Sequence, residues 1–387
     1  MAVLVAKADP LAGLAATADR TANAPEEFAF YYADLKAARR VSATLLPGAS
    51  EQQIVLAALT RITLANWRLQ ELRNFALYNP DFEAAFEASV GFSFMEVETI
   101  GGVSRIYERV EDEAVLLHLG DHPPDETAIR IALERRGFAK RSIADPVWNV
   151  YEEAENPGAL IRRAPAPLAV APDQPVHLAV DGQHIIVAGT RPGIEAALSQ
   201  PPARMPADRS AFLAAAQAGL IPGELVQFIV LPPLLEPEQL ADVIWPQGHD
   251  EAMRVELLDE IDRAPRLPRF DAVALFDAQD GETAVVSLGL IYASEETASL
   301  AAKRLADRIS TIWSFAGGKR MAEVLNFARR TKITQLHDGR FLLIESFSEH
   351  LDAEDTGVRT LSKIGPVQLL RDTWLVEEFS NLLAWGP

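Results

Sequence analysis

The sequence predicts an α+β protein made of two similar modules, each an antiparallel sheet with helices packed on one face, joined by Pro-rich segments. Three observations carry this reading. Asp-Gly pairs at 181–182, 280–281 and 338–339 separate short apolar runs, and both residues of such a pair tolerate the positive φ of a tight hairpin turn. A strand-turn-strand-helix order recurs over 103–137, 176–198 and 273–309. Hairpins joined to helices build antiparallel sheets with segregated helices rather than doubly wound ones. Proline gathers at 201–206 and returns at Pro222, where a second half restarts. The division is therefore a mobile leader over 1–25, a first module over 26–205 and a second over 206–387.

Taken in order, EFAFYYADL (27–35) is aromatic-rich and fits a first strand. Ser50 and Gln53 form a capping box ahead of a helix. Ile54, Ala58, Ile62, Ala65, Leu69, Leu72 and Ala76 keep helical spacing through residue 77. Asn79-Pro80 stops it. Segments 103–110 and 114–119 read as paired strands, and Asp125 opens a helix closed by Gly137. Segments 176–180 and 184–188 flank the first Asp-Gly pair, and Pro192 sits in the first turn of a short helix.

In the second module LVQFIVL (225–231) reads as a buried strand, followed by helices near 237–245 and 250–263. Strands at 271–276 and 283–292 flank the second Asp-Gly pair. Ser294 caps a helix with the stripe Ala298, Ala301, Leu305, Ile309 and Ile312, and Glu295 and Glu296 favour its first turn. Strands at 333–336 and 340–346 flank the third pair. A last helix over 367–385, rich in large apolar groups, is expected to dock and complete the core; the alternative is an exposed patch that recruits a partner or a membrane face.

The 387 residues hold 36 Lys plus Arg against 55 Asp plus Glu, a formal charge of -19, with no cysteine and 7 histidines. That charge repels nucleic acid and anionic membrane, so neither is expected as a partner. The absence of cysteine excludes disulfides, thiolate metal sites and a cysteine nucleophile. No stretch approaches the roughly 20 apolar residues of a membrane helix. The best, over 54–77, contains Arg61, Arg68, Glu71 and Arg73. The chain reads as soluble, without a transmembrane segment and without a cofactor.

The segments IRIALERRGF (129–138), VWNVYEEAE (147–155) and VDGQHIIVAGTRPGIEAAL (180–198) resemble uncharacterised bacterial cell-envelope proteins, many of them lipoproteins. YASEETASLAAKRLADRI (292–309) and DGRFLLIES (338–346) add to the likeness, which spans roughly two thirds of the chain. The resemblance implies an extracytoplasmic protein with a duplicated α+β module and no known activity. Outside that resemblance, a cytoplasmic location is the expectation.

Chemistry-bearing residues are few. His118, Asp121 and His122 in LLHLGDHPPDE offer two imidazoles and a carboxylate, a donor set that suits zinc, manganese or iron. The plainer alternative is a strand end running into a polar loop. His177 and His184 lie on the two arms of one hairpin and are expected to face each other or solvent. Gly317, Gly318, Lys319 and Arg320 precede a helix and offer amides and two cations to an anion; a Gly-rich break between helices explains them equally. Glu256, Asp259, Glu260 and Asp262 read as a solvated acidic face. Tyr31, Tyr32, Trp148, Trp313 and Trp374 read as core. The expected function is a non-enzymatic soluble binding or scaffold protein of the cell envelope, whose partner is another protein or a small ligand. The alternative is a metal-dependent hydrolase with its site near His118 and His122.

Overall fold

The computed structural model describes residues 29–62, 70–104, 114–120, 123–143, 148–153, 167–169, 175–199, 207–231, 236, 238, 251–314, 319–324, 328–350 and 382–386. Elements below are those of the described residues. The chain divides into two units, Met1–Pro206 and Ala207–Pro387. Both are α+β, with open antiparallel sheets.

The first unit opens with β1 (Ala29–Asp34) and α1 (Leu35–Leu45), whose N-cap Asp34 accepts from the Ala37 amide at 2.7 Å. Helix α2 (Glu51–Arg61) carries the expected capping box, with Ser50 and Gln53 bonded reciprocally. It ends at the Ile62 C-cap, so the helix expected to run unbroken to residue 77 is interrupted. Helix α3 (Gln70–Tyr78) follows, and 63–69 lie outside the described residues. Helix α4 (Phe82–Val90) has Phe82 and Phe86 one turn apart on its inner face. With Phe75, Phe92 and Phe94 these rings form an aromatic knot, mostly edge-to-face, with centroids 5.2–6.1 Å apart, a geometry the ring quadrupole favours.

Strands β2 (Thr99–Ser104) and β3 (Ala114–His118) pair, and Asp125 caps α5 (Glu126–Arg135). Strands β4 (Ala139–Ile143), β5 (Trp148–Glu152), β6 (His177–Asp181) and β7 (His184–Ala188) follow, then α6 (Arg191–Ser199). The strand order is β1-β2-β3-β7-β6-β5-β4. Ile194 and Leu198 of α6 pack on Leu116, Val150, Ala179, Ile186 and Ala188, all inside. That row of apolar side chains fixes which face of β3, β6 and β7 is the helix face.

The second unit starts with α7 (Ala207–Gln217) and β8 (Glu224–Leu231), then α8 (Glu251–Ile261), β9 (Ala272–Asp280) and β10 (Thr283–Tyr292). Helix α9 (Glu295–Thr311) is capped by Ser294, which accepts from the Thr297 amide. A two-residue ribbon, β11 (Trp313–Ser314) and β12 (Lys319–Arg320), leads through α10 (Met321–Val324) to β13 (Ala328–Gln335) and β14 (Phe341–His350). The order is β13-β14-β10-β9-β8, every pair antiparallel. Strands β9 and β10 are buried at nearly every position, so both faces of this sheet's centre are covered. The three Asp-Gly turns form as expected, with Gly182, Gly281 and Gly339 at φ 59, 56 and 89°.

The final described segment is docked. Leu382, Leu383 and Ala384 are buried, and Leu267 and Trp385 form a parallel bridge. Residues 367–381 lie outside the described residues.

Candidate functional site

The register of the first sheet draws a row of polar residues across its strands. Asp34 opposes Thr99, Thr99 opposes His118, and His118 opposes His184. Directly opposed residues share a face, with Cβ atoms about 5 Å apart. This is the helix face, one row beyond Leu116, Ile186 and Ala179. Asp34, Thr99, His118 and His184 are all buried.

His118 therefore meets His184, with ring centroids 5.0 Å apart and planes tilted by 54°. Hairpin geometry puts His177 elsewhere. It opposes Ala188, four residue pairs along the ladder from His184, so the expected cross-hairpin contact of His177 with His184 is replaced by a contact between β3 and β7. Asp121 and His122 lie outside the described residues, and no group of three metal-ligating side chains occurs among the described ones.

Backbone bonds lock this end of the sheet. The Glu98 amide donates to His118 O and the Leu119 amide to Gln183 O, each at 2.9 Å. Gly120 N–H donates to His118 Nδ1 at 3.3 Å. That occupies the Nδ1 lone pair and leaves Nε2 as the protonated nitrogen of the neutral ring. A metal on His118 would have to displace the Gly120 bond or reverse the tautomer. The Thr99 hydroxyl, in the same row, is buried and makes no hydrogen bond among the described residues. Beside the row, burial lowers the Arg39 pKa, opposed chiefly by the charges of Asp34, Glu83 and Glu98.

Gly317 and Gly318 lie outside the described residues. Lys319 and Arg320 form the exposed strand β12, and the Arg320 guanidinium donates to Thr311 O. The helix behind them, α10, is a single turn of four residues. Among the expected acidic face, Glu256, Asp259 and Asp262 are exposed, but Glu260 is buried and accepts from the Trp313 amide at 2.6 Å. Tyr31 and Tyr32 are core, whereas Trp313 is 39% exposed.

A second feature escaped the sequence reading. Among the described strands β13, ARRTKITQ, lies at the outer end of its sheet and bonds to β14 along eight residue pairs. Ala328 to Lys332 are exposed without interruption. Its inner anchor is Glu345 on β14, which is buried, accepts from the Thr331 hydroxyl at 2.6 Å and faces Arg329 Nε at 2.8 Å. Burial raises the Glu345 pKa, and the Thr331 bond and the Arg329 charge partly offset it. The signal was present: three cations and no carboxylate in eight residues of a chain with acidic excess.

No protein-family model matches the chain, and no curated protein matches it. Among solved structures, crystal form I of TP0453 aligns with 7% identity and a TM-score of 0.35 over 91% of this chain and 96% of that one. Crystal form III aligns with 9% identity and a TM-score of 0.37 over 89% and 96%, respectively. These scores are too low to imply a shared fold.

Proposed function

We propose that this chain is a non-enzymatic binding or scaffold protein of the cell envelope, built from a duplicated module, and that it takes up its partner as an added strand along β13. The observation that supports this is the exposed outer strand itself. A sheet edge presents a row of main-chain donors and acceptors, which template another extended segment. Eight residues already held in extended form lower the ordering cost of such a partner. The envelope placement rests on the resemblance of the segments at 129–138, 147–155 and 180–198. Duplication is supported by a shared path. In each unit a three-strand run is followed by a helix, α5 or α9, and a last strand returns to pair with the third.

Site-specific photo-crosslinking in the native host tests the reading. A photoreactive residue replacing Gln335 on β13 should trap a partner protein. The same residue replacing Leu300, 42% exposed on α9, should not. Equal yields at the two positions, or no adduct at position 335, would refute it.

A further inference from the structure

We infer that the strand taken up at β13 is acidic, with carboxylates at alternate positions; this rests on the strand-addition reading above. The argument begins with where the cations point. Along β13, Arg329, Thr331 and Ile333 share one face, while Arg330, Lys332 and Thr334 share the other. Arg329 is already engaged by Glu345. Arg330 and Lys332 are exposed and make no ion pair among the described residues. Two unpaired cations, two residues apart on one face of a strand, match carboxylates two residues apart on an opposing strand.

A second copy of this chain is a poor occupant of the same edge. The outer strand of the first unit, β4, reads AKRSI and exposes Lys140 and Arg141. Pairing β13 with β13, or β13 with β4, would set cation against cation. Strands β4 and β13 together carry five cations and no carboxylate, although the whole chain holds 55 acidic residues against 36 basic ones. Cations on an edge deter self-association, and the same cations select an oppositely charged partner, since discrimination comes from repulsion as much as attraction. Of the two edges, β13 is the longer, with eight residues against five, and so offers the longer ladder.

Ten-residue peptides of alternating Glu-Val, Gln-Val and Lys-Val serve as probes, titrated into the full chain by fluorescence anisotropy, with amide exchange followed over residues 328–335. The Glu-Val peptide should bind about tenfold more tightly than Gln-Val, weaken as salt is raised, and slow exchange in β13. The double substitution Arg330→Glu, Lys332→Glu should lower that affinity about tenfold or more. Because both side chains are exposed, the fold should persist, and Arg330→Gln, Lys332→Gln provides a milder check with the same direction. Lys140→Glu, Arg141→Glu on β4 should leave binding unchanged. Equal affinity for Glu-Val and Gln-Val, with β13 protected, would overturn the acidic partner while leaving strand addition standing. No protection of β13 by any peptide would overturn strand addition itself. Glu-Val binding that survives the β13 charge reversal would also overturn the assignment.

Discussion

The two units bury polar groups in different patterns, although each holds a buried hydroxyl that makes no hydrogen bond among the described residues, Thr99 in the first and Tyr292 in the second. In the first, Asp34, Thr99, His118 and His184 stand in one row at a strand end, and the Thr99 hydroxyl makes no hydrogen bond among the described residues. In the second, buried polar groups answer one another at scattered points. Gln227 donates to Asp277 at 2.9 Å, Ser287 and Ser346 share a bond at 2.8 Å, and Thr331 holds Glu345. Arg308 is the extreme case. Fully enclosed on α9, it donates to the carbonyls of Leu382, Ile261, Ala264 and Pro265 at 2.9–3.3 Å. The contrast teaches where rigidity and adaptability sit. A satisfied polar pair fixes a packing arrangement, whereas a buried hydroxyl without a partner is a free-energy cost. The second unit uses its buried charge as a staple, and presents its binding chemistry on the outside, at β13.

The largest test of that contrast removes the staple. Arg308→Ala strands four carbonyls and should cost roughly 3–5 kcal/mol in urea unfolding. Burial already lowers the Arg308 pKa to about 10, with Asp262 opposing, so the charge is retained at neutral pH and its hydrogen bonds offset the desolvation. Arg308→Lys should recover only part of the loss, because an ammonium cannot reach all four acceptors. A loss below about 1 kcal/mol would show that the staple is dispensable.

Next in size is a matched pair of glycines, one in each unit. Gly91 ends α4 at φ 85°, and a Cβ there would come within 2.5 Å of the Ala128 carbonyl oxygen. Gly223 has φ 86°, and a Cβ would come within 2.5 Å of the Gln279 carbonyl oxygen. Alanine at either site combines a left-handed backbone with a clash against main chain, and each should cost about 2–3 kcal/mol. Similar losses in thermal unfolding would mean that the units hold their turns equally tightly. A large loss at one site alone would break that symmetry.

The smallest effect is read through pH. Burial raises the Glu345 pKa above its ordinary 4.5. The stability that the neutral acid contributes is therefore complete below that ordinary value, and is lost as pH rises through the raised one. Glu345→Gln, neutral throughout, should compare least favourably with the native chain at about pH 4. It should gain on the native chain by about 1 kcal/mol or less toward about pH 7. A difference that stays constant with pH would mean that Glu345 ionises without cost.

How much of this was legible depends on the range of the interaction. Local signals read well. Ser50 with Gln53, Asp125 and Ser294 cap the expected helices, and all three Asp-Gly turns form. Strands β4 and β5 did not show as strands, since AKRSI and WNVYE are mixed in polarity at an outer edge where only one side needs to be apolar. The partner of His118 was hidden for a different reason. Strand β7 pairs with β3 only after the chain has passed through α5 and three other strands, and no local periodicity reports a pairing so distant. The near-continuous apolar run HIIVA did hint that β7 has a neighbour on each side. Arg308 was legible and missed. It lies three residues after Leu305 and seven after Ala301, inside the apolar stripe of α9.

Arg308 also sets an order of assembly. The carbonyl of Leu382 that receives its Nε–H is made 74 residues later. Chains are synthesised from the N-terminus, and their domains fold as units as they emerge. The first unit has its last strand in hand by Ala188 and its covering helix by Ser199, so it closes while the ribosome is still translating. The Arg308 bonds to Ile261, Ala264 and Pro265 O can form once α9 folds, whereas its Nε–H stays hydrated until residue 382 is available. Completion of the second unit's core is thus a late event, waiting on the segment 382–384.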